Sequence, residues 1–435
     1  MPTAIEFFKL LPKTNCKDCG QPTCLAFAML LANQKAKIGD CPHVSQSSKD
    51  ALEASAAPPV RTVSIGKGKE IRMGGETVLY RHERRFINPI AYSVSVSDKC
   101  DVRKRISDIK KLSFERVGMI FDIDALSIKC DSGDAGTFCK AVDSVMKLWD
   151  GPFILECNAD VLEDALKISS PRRPLIYHAN SANIDTMASL AKKYSCPLAL
   201  RDTDPEALVG LVEKANAAGV DDLVLDMGAA NLKECIERQT IARRSAVKKK
   251  FRQLGYPLMN RVGSGEYAVA MAAMSTMKYG SLVMFDDLKN YEALPLFTLR
   301  QNIYTDPQVP IQVKPALYPI GDPNEHSPIF FTTNFSLTYF TVRADIEKSK
   351  IPVWLQIVDT EGLSVLTAYS AGKFSAEHVA KTLNESGVLS KSDGIVVIPG
   401  LVARMSSKLH ELINRKVIVG TTESRDIPKF LRDLK

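Results

Sequence analysis

The chain has 435 residues (47.9 kDa), 45% apolar and 25% charged side chains, and a formal net charge of +7. One core does not organise that length, so two or three domains are expected, and the composition excludes a disordered or fibrous chain. The longest apolar runs, 24–32 and 267–277, fall short of the ~20 residues of a membrane helix, and the start MPTAIEFFKLLPK lacks the marks of a signal peptide. A cytoplasmic protein with no membrane partner is expected. The densest basic run, ARRSAVKKKFR (242–252), lacks interleaved aromatics and reads as a solvated helix face, so no nucleic-acid partner is expected.

The first element is a cysteine cluster. Cys16, Cys19, Cys24 and Cys41 stand at C-x2-C-x4-C-x16-C, and Gly20 and Pro22 turn the chain between the second and third. Residues 24–37 read as a helix whose N-terminal dipole would face a negative cluster, and Gly39 stops it before Cys41-Pro42 returns. In a reducing compartment such thiols hold metal more often than they form disulfides. Zinc sites usually show two C-x2-C pairs, and only one is present, so a [4Fe–4S] cluster fits better than zinc or plain buried cysteines. The other six cysteines, Cys100, Cys130, Cys139, Cys157, Cys196 and Cys235, show no paired spacing and read as packing residues.

A Ser/Ala-rich stretch ending in Pro-Pro (45–60) reads as a helix fragment and linker. Beyond it, short apolar strands at 87–96, 117–123, 152–158, 174–180, 197–203, 222–228, 257–262 and 281–287 alternate with helices such as 135–150, 181–195 and 204–219. Eight β-then-α units in about 200 residues predict a TIM-type (β/α)8 barrel rather than an open sheet. Asp122, Asp124, Glu156, Asn158, His178, Asn180, Arg201, Asp202, Asp226, Arg261, Asp286 and Asp287 are expected at strand C-termini. No spacing among them names a reaction, and carboxylates and amides there also cap helices, so a docking scaffold is favoured over a catalytic face.

The last unit begins after 322–333. Helices are predicted at 336–350, 375–387, 401–413 and 424–434, and strands at 353–359, 394–400 and 416–421. This is a small doubly wound α/β sheet whose ligand edge lies at its strand C-termini, where Gly362, Gly372, Gly400 and Gly420 suggest a close approach of backbone to something. TAYSAGKFS (367–375) is not a phosphate loop, because Thr367 stands where a glycine is required and Phe374 where Ser/Thr is required. No G-x-G-x-x-G occurs either.

LPKTNCKDCGQPTCLAFAMLLA at the start and NFSLTYFTV, VDTEGLSVLTAYSAGKFSAE and VIPGLVARMS at the end resemble the large (gamma) subunits of corrinoid iron–sulfur proteins, bacterial type. These are methyl carriers of the acetyl-CoA (Wood–Ljungdahl) pathway and its acetyl-CoA decarbonylase/synthase complex, and the likeness covers essentially the whole chain. It implies a [4Fe–4S] cluster domain at 1–58, a TIM barrel at 59–318 and a cobamide-binding Rossmann-like domain at 319–435. It further implies cluster ligands Cys16, Cys19, Cys24 and Cys41, and a B12-type cobamide cradle of Thr341, Thr367, Ala371, Gly372, Lys373, Phe374, Ser375, Pro399, Gly400, Gly420 and Thr421. Ser375 stands where the family tends to have Thr beneath the corrin. No catalytic residue is assigned.

The same resemblance implies the role. The protein would be the carrier component of a methyltransferase system, taking methyl from methyltetrahydrofolate through a separate methyltransferase and giving it to the nickel site of acetyl-CoA synthase. Its cluster would return Co(II) to Co(I), and [4Fe–4S] centres reach the very low potentials this needs. Implied partners are a smaller barrel subunit in a heterodimer, the methyltetrahydrofolate methyltransferase and the CO dehydrogenase/acetyl-CoA synthase. The D-x-H-x-x-G run of His-on corrinoid domains is absent, and His378 and His410 fall in helix patterns, so a base-off, His-off cofactor is expected. The alternative is a self-contained iron–sulfur barrel methyltransferase or reductase, for which the C-terminal unit would be superfluous. A carrier that meets several partners is expected to hinge near 45–60 and 305–330.

Overall fold

The computed structural model describes residues 4–32, 35–45, 48 and 58–434, so most of the expected linker at 45–60 lies outside the described residues. It divides into two compact units. One holds the residues up to Ser113 together with Asp122–Tyr304; the other holds Phe114–Phe121 and the chain from Thr305 onward. No helix among the described residues is long and apolar enough to cross a membrane.

In the first unit, helices Ala4–Leu10 and Cys24–Ala32 and a 3-10 turn, Ile38–Asp40, surround a small core. Phe7, Leu11, Phe27, Ala28, Leu31 and Val44 bury there together with Cys24 and Cys41. So few apolar residues make a marginal core, and such domains commonly need a metal to hold them.

The barrel is closed by eight parallel strands that neighbour one another in chain order: Ala91–Ser97, Ala125–Lys129, Phe153–Glu156, Leu175–Ala179, Leu198–Arg201, Leu223–Asp226, Leu258–Gly263 and Gly280–Phe285. An antiparallel hairpin, Val63–Ile65 with Ile71–Met73, precedes it. Val63, Ile65 and Met73 pack with Ala91, Leu175 and Leu282, residues near the strand beginnings, so the hairpin plugs the N-terminal end of the barrel.

One expected barrel strand is corrected. Residues 117–123 do not enter the barrel; Ala125–Lys129 takes that place, and Met119–Phe121 pairs antiparallel with Phe114–Arg116. The two-residue turn between them has Val117 at φ 52° and Gly118 at φ 69°. Both values are positive, as in a type I′ turn, for which Asn-Gly is the usual signal, and a Val at the first position hid it. A β-carbon on Gly118 would stand 2.1 Å from Phe340 Cζ, and by its packing this hairpin belongs to the second unit.

The second unit is a five-stranded sheet in the order Leu317–Ile320, Val353–Val358, Ile329–Thr333, Val396–Ile398, Val417–Val419, with only the first strand antiparallel. The strands at 317–320 and 329–333 were not anticipated. Alternation sorts side chains to two faces. Ile329, Phe331, Val396 and Ile398 bury against helix Ala376–Glu385 and the 400–413 segment, whereas Phe330, Leu355 and Val397 bury against Ser336–Ser349 and Ile427–Asp433. From Ile329–Thr333 the chain passes first to one side of the sheet and later to the other. The switch point therefore lies between this strand and Val396–Ile398, where doubly wound folds bind ligands.

Candidate functional site

The cysteine loop is shaped by its backbone. Lys13, Asn15 and Lys17 hold φ of 59°, 51° and 67° and Gly20 holds 75°. Left-handed residues alternating with others in this way turn successive N–H groups inward, a concavity suited to anions. Each non-glycine held there costs about 1–2 kcal/mol, so the loop needs a stabilising partner. Asn15 Oδ1 accepts from Cys24 N at 2.8 Å, which ties the first ligand turn to the helix start. Cys24 and Cys41 are buried, and Cys16 and Cys19 are partly exposed.

The donors are four thiolates, a set that both zinc and a [4Fe–4S] cluster take. Zn–S bonds of ~2.3 Å would hold four sulfurs about 3.8 Å apart. The only group of three metal-ligating side chains whose donor atoms all lie within 4.8 Å, among the described residues, is Cys16 with Asp18 and His43, so no three of the four cysteine sulfurs are that close. Four thiolates are the donor set that a [4Fe–4S] cluster takes. Asp18 and His43 join at 2.5 Å, and hydrogen bonds from His43 and Cys16 hold the Asp18 carboxyl below its usual range.

In the second unit a cleft of about 410 Å³ opens at the switch point. Of the residues implied as the cobamide cradle, Thr341, Pro399, Gly420 and Thr421 line it. Its lips include Leu337, Leu366 and Leu401, which are 53%, 51% and 44% exposed, an apolar rim with nothing covering it in the isolated unit.

The remaining implied residues stand elsewhere. Thr367 lies on helix Val365–Ser370 with its hydroxyl 3.0 Å from Ser364 Oγ. Ala371 and Gly372 close that helix, and Lys373 pairs with Glu361. Phe374 is fully buried against Phe331, so its ring serves the core and only its backbone could meet a ligand. Ser375 caps helix Ala376–Glu385, its Oγ accepting from His378 N at 3.2 Å.

Two of the glycines at the sheet edge, Gly400 and Gly420, are explained by the protein itself. A β-carbon on Gly400 would stand 2.8 Å from Gly420 O, and one on Gly420 2.8 Å from Val397 Cγ1. Gly400 N donates to Thr421 O at 3.0 Å and Gly420 N to Ile398 O at 2.9 Å, so the two loops under the cleft are packed backbone on backbone.

Sequence reasoning missed Asn334. It is fully buried just beyond strand Ile329–Thr333, and its Oδ1 accepts from Thr360 N (3.0 Å), Thr360 Oγ1 (2.9 Å) and Gly362 N (2.9 Å). Its Nδ2 donates to Asp359 Oδ1 at 3.0 Å and Gln312 Oε1 at 3.3 Å. One amide thereby locks the loops after two adjacent strands. The "NF" following an apolar run was its only sequence signal.

At the barrel rim the polar residues pair with each other. Arg261 binds Glu156 Oε1 (2.8 Å) and Asp286 Oδ1 (2.7 Å), and Arg105 binds Asp287 (2.8 Å). Tyr177 OH donates to Asp226 and accepts from Arg201, both at 2.7 Å. Burial raises the Glu156 carboxyl against the pull of Arg261, while burial and the two arginines push His178 down. Asn180 and Asp202 accept from backbone N–H two residues on, and Asn158 stands at the N-cap of Ala159–Ser169. Asp122 and Asp124 are corrected: they precede strand Ala125–Lys129 and so lie at the opposite end, where Asp124 meets Arg300 and Tyr92 N.

Comparison with known proteins gives consistent matches. A family model described as "CO dehydrogenase/acetyl-CoA synthase delta subunit" matches residues 62–431, and one described as "Putative Fe-S cluster" matches 11–43. The chain is 43% identical to the corrinoid/iron-sulfur protein large subunit of Moorella thermoacetica, over 99% of this chain and 98% of that one. It is 33% identical to the acetyl-CoA decarbonylase/synthase complex subunit gamma of Methanopyrus kandleri, over 99% and 97%. Among solved structures, the dihydropteroate synthase of Thermus thermophilus aligns with a TM-score of 0.40 at 15% identity over 57% of this chain and 100% of that one, which adds nothing to the barrel already described.

Proposed function

Because the chain belongs to the CO dehydrogenase/acetyl-CoA synthase delta subunit family, we propose that it works as a methyl carrier in the acetyl-CoA pathway. Cys16, Cys19, Cys24 and Cys41 would hold a [4Fe–4S] cluster, and the switch-point cleft with the loops around it would hold a cobamide. When bound, the cobamide supplies the methyl-carrying cobalt and the cluster supplies the low-potential electron that restores it. Methyl would come from methyltetrahydrofolate through a separate methyltransferase and leave to the nickel site of acetyl-CoA synthase. A smaller barrel subunit would complete the heterodimer.

The observation that carries this reading is the exposed apolar rim of a largely apolar cleft, dotted with threonine and serine hydroxyls, at the topological switch point. Exposing Leu337, Leu366 and Leu401 together to water has some cost, and a broad, flat macrocycle laid across them would remove it. The cleft beneath admits a narrow arm, with Thr341 entering from one helix and Thr421 from the opposite loop.

The residues also bear on the cobalt's lower face. None of the C-terminal histidines lines the cleft. His326 pairs with Asp393 at 2.9 Å, and His410 Nδ1 lies 2.6 Å from Arg415 O. His378 borders a separate cleft beside Gln356 and Thr382. Ser375 spends an oxygen lone pair on its cap and keeps an O–H to donate, which is a weak donor to a metal. On this reading the cobamide would be held without a nitrogen ligand from these histidines.

The test is anaerobic isolation with metal analysis and spectroscopy. About four iron and about one cobalt per chain are expected, with Co(II) EPR free of axial-nitrogen splitting. Cluster absorption without corrin bands, even after cobamide is supplied, would overturn the carrier reading in favour of a barrel enzyme that uses the cluster alone.

A further inference from the structure

Two cysteines without paired spacing in the sequence become neighbours in the barrel wall. Strands Ala125–Lys129 and Phe153–Glu156 run parallel with Lys129 opposite Glu156, and Cys130 N donates to Glu156 O at 2.9 Å. One step further along this register, Cys130 stands opposite Cys157. Adjacent strands lie ~4.7–4.9 Å apart, inside the ~4.4–6.8 Å Cα separation that a disulfide spans.

Alternation fixes the direction of the side chains. Glu156 reaches Arg261 across the barrel mouth, so Cys130 and Cys157 turn outward, toward helix Ala135–Leu148. That helix carries Cys139; burial pushes all three thiols up, and Cys157 is pushed further by Cys130 and Cys139. All three are reduced and partly exposed.

We propose that Cys130 and Cys157 form an oxidisable dithiol at the C-terminal rim of the barrel, a modification site for low-molecular-weight disulfides. The more exposed Cys130 thiolate attacks one sulfur of a glutathione-type disulfide, forming a mixed disulfide and releasing one thiol. Cys157 then attacks the Cys130 sulfur and releases the second. Two protein thiols are oxidised, one small disulfide is reduced to two thiols, and the two protons leave on them. Raised thiols attack slowly at neutral pH, so the pair closes only under sustained oxidation.

The cofactor-loaded protein, held anaerobically with glutathione disulfide, alkylated and digested with trypsin, supplies the test. The expected product links peptide 130–140 to peptide 148–167, which carry Cys130 with Cys139 and Cys157 respectively. Cys130→Ser and Cys157→Ser should each abolish the link, Cys139→Ser should keep it, and all three should retain iron and cobalt content. Persistence of the link in Cys130→Ser would overturn the proposal. So would Cys157 remaining fully alkylatable under conditions that modify the exposed Cys100.

Discussion

The carbonyl oxygen of Gly420 lies 2.8 Å from where a β-carbon on Gly400 would stand. The floor of the switch-point cleft is therefore two loops in backbone contact, and any side chain at Gly400 pushes them apart. Gly400→Ala should cost about 1–3 kcal/mol by overpacking and reduce cobamide retention. Gly372→Ala is the contrast, since that position has φ 72° but open space around it, and should cost only about 1 kcal/mol of backbone strain. Thermal melting and cobalt content of the two variants decide. Equal losses would mean that crowding at Gly400 costs no more than backbone strain at an open position.

Asn334 should matter as much as any residue that lines the cleft. Asn334→Ala strips acceptors from Thr360 and Gly362, and each buried donor left unsatisfied costs about 1–3 kcal/mol. Faster hydrogen exchange in residues 359–363 and weaker cobamide binding are expected. Asn334→Asp keeps the acceptor but sets a carboxylate 3.0 Å from Asp359 and should fail as a rescue. Unchanged exchange in Asn334→Ala would remove the hub from the account.

Serine at Cys16, Cys19, Cys24 or Cys41 should lower iron and open amide exchange across residues 4–44, because the small core there depends on its metal. Cys235→Ser, in the barrel, should leave both unchanged. An iron loss without any change in exchange would show that the N-terminal core stands alone.

His178 gives a pH prediction with a definite sign. Burial, Arg201 and Arg261 hold its folded pKa below the ordinary 6.5. The neutral ring thus stabilises the fold above pH 6.5, and that contribution is lost as the pH falls through the depressed value. Wild type should lose stability on acidification faster than His178→Asn in denaturant titrations at several pH values. Parallel curves would show that His178 is not the group involved.

Much of this was readable from residue order. The eight-unit barrel followed from apolar runs at regular spacing, and seven of its strands fall where they were expected. The eighth went wrong because MIF is a true strand with the better propensity, while the actual barrel strand, ALSIK, hides a buried Ser127. In the C-terminal sheet, Ile329–Thr333 was passed over because a strand buried on both faces shows no alternation. The glycines at 400 and 420 read as close approaches, but the partner could not be read: Gly400 meets the Gly420 loop and Gly420 meets strand Val396–Ile398. Asn334 and the Cys130–Cys157 register were invisible, since both arise from residues brought side by side only by sheet pairing.

The Phe114–Phe121 hairpin makes the second unit discontinuous along the chain. The polypeptide passes between the two units at 113–114, at 121–122 and again at 304–305. A protease that cuts only near 305–316 would therefore sever the backbone without freeing the C-terminal fragment, because the Gly118 turn remains seated against the ring of Phe340. The nicked protein should migrate as one species on a native gel and as two under denaturing conditions, and Phe340→Ala should let the fragments part.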